Sequence, residues 1–202
     1  FFDGKNITKV KAYERNRLGI ARTFQNIRLI KSMTVLENVL IAHPKCKEEK
    51  LLKAVFTPGR ANKVRREVVT ECEKLLEIVG LLDMEDEFAT NLPYGKQRLL
   101  EIARGLATEP KLLLLDEPGA GMNNFEKDEL TSVIKHITGT MGINVLIIEH
   151  DMKFVMGISD RIIVLDHGQK IAEGLPAEIQ ANEQVIQAYL GSGEFKDEDE
   201  DA

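Results

Sequence analysis

The sequence predicts an α/β fold whose main sheet is parallel. Residues 112 to 115 are four consecutive leucines that run directly into Asp116 and Glu117. A continuous apolar run of this length is typical of a strand buried on both faces, as at the centre of a parallel sheet. Residues 143 to 150, INVLIIEH, repeat the pattern and end in a glutamate and His150. These two runs, with a helical segment between them, favour a parallel sheet.

The polar residues at the ends of these strands indicate a ligand site. In open α/β sheets, ligands bind outside the carboxyl ends of the strands. If the two strands are parallel neighbours, Asp116, Glu117 and His150 converge on one edge of the sheet. Adjacent carboxylates beside a core are unfavourable unless a cation, a proton or a polar substrate uses them. The pattern favours a metal-and-water site, although the two acids alone fit a loop after a core strand equally well.

Composition restricts the class of protein. With 202 residues and 43% hydrophobic content, the chain is expected to form one domain, with or without a subdomain. Residues 194 to 202 hold six acids and one lysine, so they carry −5 of the net charge of −6 and the remainder carries −1. A nearly neutral body lacks the basic cluster that nucleic-acid binding needs. The acidic tail has too little apolar content to join the core, and we expect it to be disordered.

The cysteines indicate the redox environment of the protein, and the first residues indicate how the chain begins. Cys46 and Cys72 show no metal-ligand spacing, and Cys72 falls on the apolar face of a predicted helix, which fits a reduced thiol and a reducing cytoplasm. No stretch approaches the roughly 18 apolar residues of a membrane-spanning helix. The sequence FFDGKNIT reads like the end of a strand and its turn and begins at Phe1 without a methionine, so we expect a segment upstream.

The part of the chain before the leucine run predicts a strand followed by helices. Residues 20 to 24 read as a strand. Thr34 to Glu37 form a capping box for a helix that Pro44 is expected to close. Residues 60 to 79 have apolar side chains at helical spacing with charges between them. These patterns predict a helical subdomain, about residues 30 to 92, inserted between two strands of the sheet.

Residues 91 to 108 predict a helix with an anion site at its start. NLPYGKQ begins with turn chemistry and continues into a helix. Its exposed N–H groups and the positive end of its dipole lie near Tyr94, Gly95 and Lys96, and Gly95 allows a phosphate close to the backbone. Most helix starts bind nothing, so this signal alone is weak.

The remaining elements follow from caps, turns and periodicity. In order they are a helix capped by Asn123 or Asn124, a short helix from His150 to about Gly157, a strand at 161 to 165, a turn at His167-Gly168, a strand from Lys170 to Ala172, and helices from Pro176 to Leu190. His136 is interpreted as a surface residue.

Four motifs in a fixed order resemble the ATP-binding subunit of ABC transporters. They are Gln25 in RTFQN (the Q-loop), LPYGKQ with Leu92, Pro93, Tyr94, Gly95, Lys96 and Gln97 (the signature), LLLLDEP (Walker B and its glutamate), and His150 (the switch histidine). Asn123 in AGMN stands at the D-loop position. The resemblance covers essentially residues 1 to 190 and rests on the joint order and spacing of the motifs.

Within that family, three stretches look most like the subunits that energise branched-chain amino-acid uptake. They are GIARTFQN, LPYG with LEIARGLAT close behind, and IEHDMKFVMGISDRIIVLDHGQKIAEG. Relatives that export lipopolysaccharide share much of the pattern, though their signatures are more often LSGG. The leading hypothesis is an ATPase that drives amino-acid import from the cytoplasmic face of a prokaryotic cell membrane.

The resemblance implies a role for each motif residue. Asp116 would hold Mg²⁺, directly or through water, Glu117 would polarise the attacking water, and His150 would contact the γ-phosphate of ATP. Gln25 would sense the γ-phosphate or the metal and link it to the helical subdomain. The signature, with Asn123 at the D-loop, would close over nucleotide held by a partner.

The implied partners are therefore other proteins. A second ABC ATPase subunit, identical or different, would sandwich two nucleotides with this chain. Two membrane-spanning permease subunits would dock on the helical subdomain, and an external amino-acid-binding protein would act indirectly. Nucleic acid is not expected.

Two features depart from the family pattern. Pro93 replaces the usual signature serine and removes a hydroxyl donor. No G-x-x-x-x-G-K followed by Ser or Thr occurs, because Gly4-Lys5-Asn6 and Gly95-Lys96-Gln97 lack the upstream glycine and the hydroxyl residue. The expected fold is therefore an ABC ATPase core that lacks its N-terminal P-loop unit. We expect that unit upstream of Phe1, and we predict that the 202-residue chain alone hydrolyses no ATP.

Two other functions stay open. One is a non-hydrolysing or regulatory subunit that offers its signature to a complete sister chain. The other is a soluble ABC ATPase without membrane partners, which the near-neutral surface and the lack of a coiled-coil insertion disfavour. An upstream reading frame containing a P-loop would separate the leading hypothesis from the first of these.

Overall fold

The computed structural model describes residues 1–47 and 60–190 of the chain. These residues belong to two compact units, Phe1–His150 and a second that begins at Asp151. The acidic tail at 194–202 and part of the predicted helical subdomain, 48–59, lie outside the described residues, so the disorder of the tail stays a prediction.

The first unit contains both helices and strands. Its elements are α1 (Ala12–Arg17), β1 (Ile20–Arg22), α2 (Val35–Leu40), α3 (Pro44–Lys47), α4 (Arg60–Ile78), α5 (Tyr94–Leu106), β2 (Leu112–Asp116), α6 (Asn124–Gly139) and β3 (Asn144–Ile148). Two single turns of 3-10 helix, Leu82–Met84 and Ala89–Asn91, lie between α4 and α5. The predicted strands and the long helices are confirmed.

Strands β1, β2 and β3 form a parallel sheet with β2 in the middle, so the predicted parallel pairing is confirmed. Leu113 and Leu115 on β2 are fully buried. On β3, by contrast, Leu146 and Ile148 are 55% and 60% exposed. Burial of β3 on both faces was therefore a wrong expectation. Leu146 and Ile148 are in register with Leu114 and Asp116, on the face opposite to Leu113 and Leu115, and that face is less covered on both strands.

The helix that begins after Thr34 starts as predicted but ends early. The Thr34 hydroxyl accepts from the Glu37 N–H at 3.2 Å and the Glu37 carboxylate accepts from the Thr34 N–H at 2.9 Å, which confirms the capping box. The helix ends at Leu40, and Pro44 begins α3. The expectation that Pro44 closes the first helix is wrong, since proline fits the first position of a helix, where its missing N–H has no partner to lose.

Helices α4, α5 and α6 bury the faces that their periodicity predicts. The buried residues of α5 include Leu99, Ile102, Ala103 and Leu106. Cys72 on α4 is fully buried, and burial raises the pKa of its thiol to about 12. A thiol with so high a pKa is unreactive, as expected for a core cysteine. His136 is exposed, as predicted.

The described part of the second unit, residues 151–190, is a β-hairpin with three helices. Its elements are α7 (Met152–Ile158), β4 (Ile162–Asp166), β5 (Gln169–Gly174), α8 (Pro176–Gln180) and α9 (Glu183–Leu190). β4 and β5 are antiparallel and turn at His167-Gly168, both with positive φ, which suits a two-residue hairpin turn. Its core contains Ile162, Val164, Ala172, Ile179 and Val185. No helix within 1–47 or 60–190 is long and apolar enough to cross a membrane.

Candidate active site

Gln25, Asp116, Glu117 and His150 meet at the carboxyl ends of the three parallel strands. The Gln25 amide nitrogen donates to Glu117 Oε2 at 2.9 Å, three residues after β1 ends. His150 Nδ1 lies 3.9 Å from Glu117 Oε1. The predicted convergence of the two acids and the histidine is confirmed, because β2 and β3 are parallel neighbours. The edge offers carboxylate and amide oxygens together with one imidazole.

Asp116 is paired with a residue that sequence analysis did not single out. Arg22, the last residue of β1, donates from Nη2 to Asp116 Oδ2 at 2.9 Å. The Arg22 side chain is 56% exposed, so the pair is open to solvent and to exchange with another cation. The only sequence feature that pointed to this pair was the position of Arg22 at the end of a predicted strand.

Glu117 adopts a backbone conformation that non-glycine residues seldom take. Its φ is 46°, in the left-handed region. Its N–H donates to the Ile148 carbonyl at 2.9 Å and extends the β2–β3 ladder by one residue. Strained residues of this kind persist where the surrounding structure holds them, and they concentrate at functional sites. The turn directs the Glu117 carboxylate toward Gln25 and His150.

Glu149 is buried next to the catalytic candidates and has a different task. Its side chain is 2% exposed. Oε1 accepts from the Gly119 N–H at 2.7 Å and Oε2 accepts from the His150 N–H at 3.3 Å. Glu149 therefore ties the turn after Glu117 to His150. The acid was visible at the end of the second apolar run, but its partner could not be read from the sequence.

The signature residues LPYGKQ lie at the start of α5. Leu92 is buried, Pro93 precedes the helix as its cap residue, and Tyr94 is the first residue of the helix and is 46% exposed. Lys96 Nζ lies 3.3 Å from both carboxylate oxygens of Glu129, and the Gln97 amide donates to the Leu92 carbonyl at 2.9 Å. The Tyr94 hydroxyl accepts from Arg98 Nη2 at 3.0 Å, and the role of this turn toward a ligand stays a prediction.

Gly95 and Asn123 lie together through the first turn of α6. The Asn123 side chain accepts from the Glu126 N–H at 3.0 Å, and Glu126 Oε2 accepts from the Asn123 N–H at 2.9 Å, so Asn123 is the predicted cap. A Cβ on residue 95 would lie 2.4 Å from Glu126 Oε1. A side chain at position 95 would therefore have to displace the Glu126 carboxylate, and the role of Gly95 toward a phosphate stays a prediction.

The Gly4-Lys5 pair lies in a hairpin turn. Phe2 and Lys5 exchange two backbone hydrogen bonds of 2.9 Å, which places Gly4 in a tight turn of a small hairpin. A cavity of about 550 Å³ at the opposite end of the sheet, lined in part by Pro110, Lys111 and Asn144, contains none of the site residues.

A second group of metal-type donors lies away from the sheet edge. Ligand atoms of His43, Glu71 and Glu109 lie within 4.8 Å of one another. The Lys45 ammonium already contacts both Glu71 oxygens, at 2.8 and 3.1 Å. We interpret this group as an ion-pair network, because a cation there would have to displace the lysine.

Comparison with known proteins decides the family. The profile described as "ABC transporter" matches residues 1–120. The chain belongs to the ABC transporter family. Members of this ATPase family bind nucleotide and hydrolyse ATP, and the predicted fold and enzyme class are confirmed. A second profile, "Branched-chain amino acid ATP-binding cassette transporter", matches residues 169–194.

Individual ABC relatives are similar over most of the chain. BraF, a high-affinity branched-chain amino acid transport ATP-binding protein of Pseudomonas aeruginosa, is 42% identical over 94% of this chain and 74% of its own length. LivG of Escherichia coli, with the same description, is 43% identical over 87% of this chain and 69% of its own. The ADP conformation of MJ1267, an ATP-binding cassette of an ABC transporter, superposes with a TM-score of 0.77 at 34% identity, over 95% of this chain and 76% of that structure.

Proposed function

We propose that this chain is the ATP-hydrolysing subunit of an ABC importer for branched-chain amino acids. The substrate is supported by the descriptions of BraF and LivG and by the profile match at residues 169–194. The catalytic assignment depends on one observation, the contact of the Glu117 carboxylate with Gln25 and His150 at the sheet edge. A carboxylate held between an amide and an imidazole is a suitable site for orienting a water molecule.

Each residue at the edge has a distinct task in this proposal. Glu117 orients the attacking water and accepts its proton, and Gln25 holds the Glu117 carboxylate through its amide N–H. His150 faces the transferred phosphoryl group, where its ring can donate to a phosphate oxygen. Hydrolysis in this class of enzyme is mainly positioning and charge stabilisation, so distances between these groups determine the rate.

Mg²⁺ fits the donors at this edge. The Asp116 carboxylate and the Gln25 amide oxygen are the hard oxygen ligands that Mg²⁺ takes. When bound with nucleotide, the ion would neutralise charge on the phosphate oxygens. Asp116 would then exchange its exposed pairing with Arg22 for the ion.

The proposed partners engage two other surfaces. The first turn of α5, with Tyr94 and Gly95, closes over nucleotide held by a second ATPase subunit. A membrane subunit docks beside the segment that follows Gln25, where a cavity of about 240 Å³ is lined by Ile27, Leu29, Lys31, Ala89, Thr90 and Gln97. In this arrangement the protein is peripheral on the cytoplasmic face of the membrane, and an external binding protein delivers the amino acid.

Uptake in cells tests the proposal. We expect Glu117→Gln in the chromosomal gene to abolish uptake of radiolabelled leucine, isoleucine and valine, while the protein is still present by immunoblot. Glu77→Gln, an exposed change on α4, is the matched control and should leave uptake normal. Normal uptake of all three amino acids in the Glu117→Gln strain would contradict the proposed function.

A further inference from the structure

The loop that carries Gln25 is held by charged side chains of α5. Residues 23–28, here called the Gln25 loop, form neither helix nor strand. Arg98 Nη1 donates to the Phe24 carbonyl at 2.7 Å, and Arg98 Nη2 donates to the Gln25 carbonyl. Farther along, Glu101 Oε1 accepts from the Arg28 N–H at 3.4 Å. Arg98 and Glu101 of α5 therefore satisfy three backbone groups of the loop.

A gain in folding stability does not explain why Arg98 is buried. It is 3% exposed, and Glu101, its neighbour 3.5 Å away, is 6% exposed. Burial raises the pKa of the Glu101 carboxyl, against the opposing effects of the Arg28 N–H and the Arg98 charge. Buried ion pairs often contribute little net stability compared with apolar residues of similar size. The pair is more easily explained by the two carbonyls that the guanidinium binds at once.

The same guanidinium also reaches the signature. Arg98 Nη2 donates to the Tyr94 hydroxyl at 3.0 Å, and the guanidinium carbon lies 5.5 Å from the centre of the Tyr94 ring. Tyr94 is the first residue of α5, one turn before Arg98. A single side chain thus contacts the first turn of the signature helix and the backbone of Gln25.

We propose that Arg98 is a positioning residue that couples the signature of this chain to its own hydrolysis site through Gln25. The proposal rests on the proposed function, in which the first turn of α5 faces the nucleotide of the partner subunit. Closure of that turn on the partner's nucleotide shifts Arg98, and Arg98 shifts the main chain of Gln25. The Gln25 amide is bonded to Glu117 at 2.9 Å, so the shift arrives at the catalytic carboxylate.

The geometry requires a guanidinium and not merely a positive charge. Arginine presents several N–H donors in one rigid plane, and here they serve two carbonyls and a hydroxyl. A lysine keeps the charge beside Glu101 but offers a single nitrogen at the end of a flexible stem. Arg98→Lys should therefore loosen the coupling while leaving the buried carboxylate neutralised.

The test is a double-mutant cycle in the transporter complex purified from cells. Arg98→Lys and Gln25→Ala are each expected to lower kcat for ATP by about 10-fold or more, and Arg98→Lys should change KM by less than about 2-fold. The double variant should be no slower than Gln25→Ala, because both changes interrupt the same coupling. Arg66→Lys, the same chemical change at an exposed position of α4, is the matched control. It should leave kcat unchanged.

The outcomes separate the two proposals. Additive losses in the double variant, or equal kcat values in Arg98→Lys and Arg66→Lys, would overturn the coupling alone. Normal kcat in Gln25→Ala would overturn the catalytic role of Gln25 in the proposed function, and the coupling with it. If the Arg98→Lys subunit fails to assemble into the transporter complex, Tyr94→Phe is the second variant, because it removes only the hydroxyl that Arg98 contacts. It should lower kcat, and an unchanged kcat would count against the coupling.

Discussion

Strands β2 and β3 carry similar apolar runs, LLLL and VLII, but the sheet buries them differently. β2 lies between β1 and β3, and Leu113 and Leu115 are fully buried. On β3, Leu146 and Ile148 are more than half exposed, and their register with Leu114 and Asp116 places them on the opposite face of the sheet from Leu113 and Leu115. An apolar run therefore identifies a strand but does not say which neighbours cover it.

The acids that follow these two strands differ in the opposite direction, because the acid after the central strand is the more exposed of the two. The central strand ends in Glu117, whose side chain is 29% exposed and contacts Gln25. The outer strand ends in Glu149, whose side chain is 2% exposed and bonds backbone N–H groups. The left-handed turn at Glu117 accounts for the difference, because it directs that carboxylate to the open edge. The exposed acid is the one available for chemistry.

The largest expected effect distinguishes these two acids. In the purified transporter complex, Glu117→Gln should lower kcat for ATP by about 10²- to 10⁴-fold, the usual contribution of a general base. Glu149→Gln should lower kcat by less than about 10-fold, because the amide oxygen can still accept from Gly119. Steady-state ATPase assays measure both. Equal losses would mean that Glu149 takes part in the chemistry.

The second prediction compares burial in the two strands. Leu113→Ala should lower the free energy of unfolding by about 2–5 kcal/mol, because it leaves a cavity in a packed core. Leu146→Ala should change it by about 0.5 kcal/mol or less, as for other exposed positions. Urea unfolding followed by circular dichroism measures both changes. A large loss in Leu146→Ala would show that β3 is covered in solution.

The third prediction concerns the exposed face of β3 in the chain by itself. An apolar surface on a strand favours association, so the 202-residue chain should self-associate in solution. Leu146→Thr introduces a smaller, polar side chain that is still favourable in a strand, and it should reduce the association, while Ser132→Thr on the exposed side of α6 should not. Light scattering at several concentrations gives the readout. Identical scattering for wild type and Leu146→Thr would place the associating surface elsewhere.

The smallest expected effect comes from an ion pair away from both strands. The hydrogen bond from Lys45 lowers the pKa of the Glu71 carboxyl below its usual value. The Glu71 carboxyl therefore binds a proton more readily in the unfolded chain than in the folded one. The stabilisation from the ion pair is present above the ordinary glutamate pKa of about 4.3, and it is lost as the pH falls through the lower pKa of the folded state. Melting temperatures from neutral pH down to about pH 3 should fall less steeply in Glu71→Gln. Unchanged steepness would mean that the pair does not persist in solution.

The sequence by itself determined the features that depend on near neighbours in the chain. The capping boxes at Thr34 and Asn123 are complete within four residues, and the helices and hairpin follow from short-range periodicity and turn chemistry. The order of motifs was enough to identify the family, and the parallel pairing of β2 with β3 was enough to bring Glu117 and His150 together. Each of these depends on local backbone preferences or on a simple rule for sheets.

Only the tertiary structure decided which side chains meet across long separations. Arg98 and Phe24 are 74 positions apart in the chain, and Arg22 and Asp116 are 94 apart, so no periodicity links either pair. The outer position of β3 and the left-handed turn at Glu117 likewise depend on how distant segments pack. Such contacts form because burial of the whole core fixes the backbone, and the polar groups it brings together must then find partners.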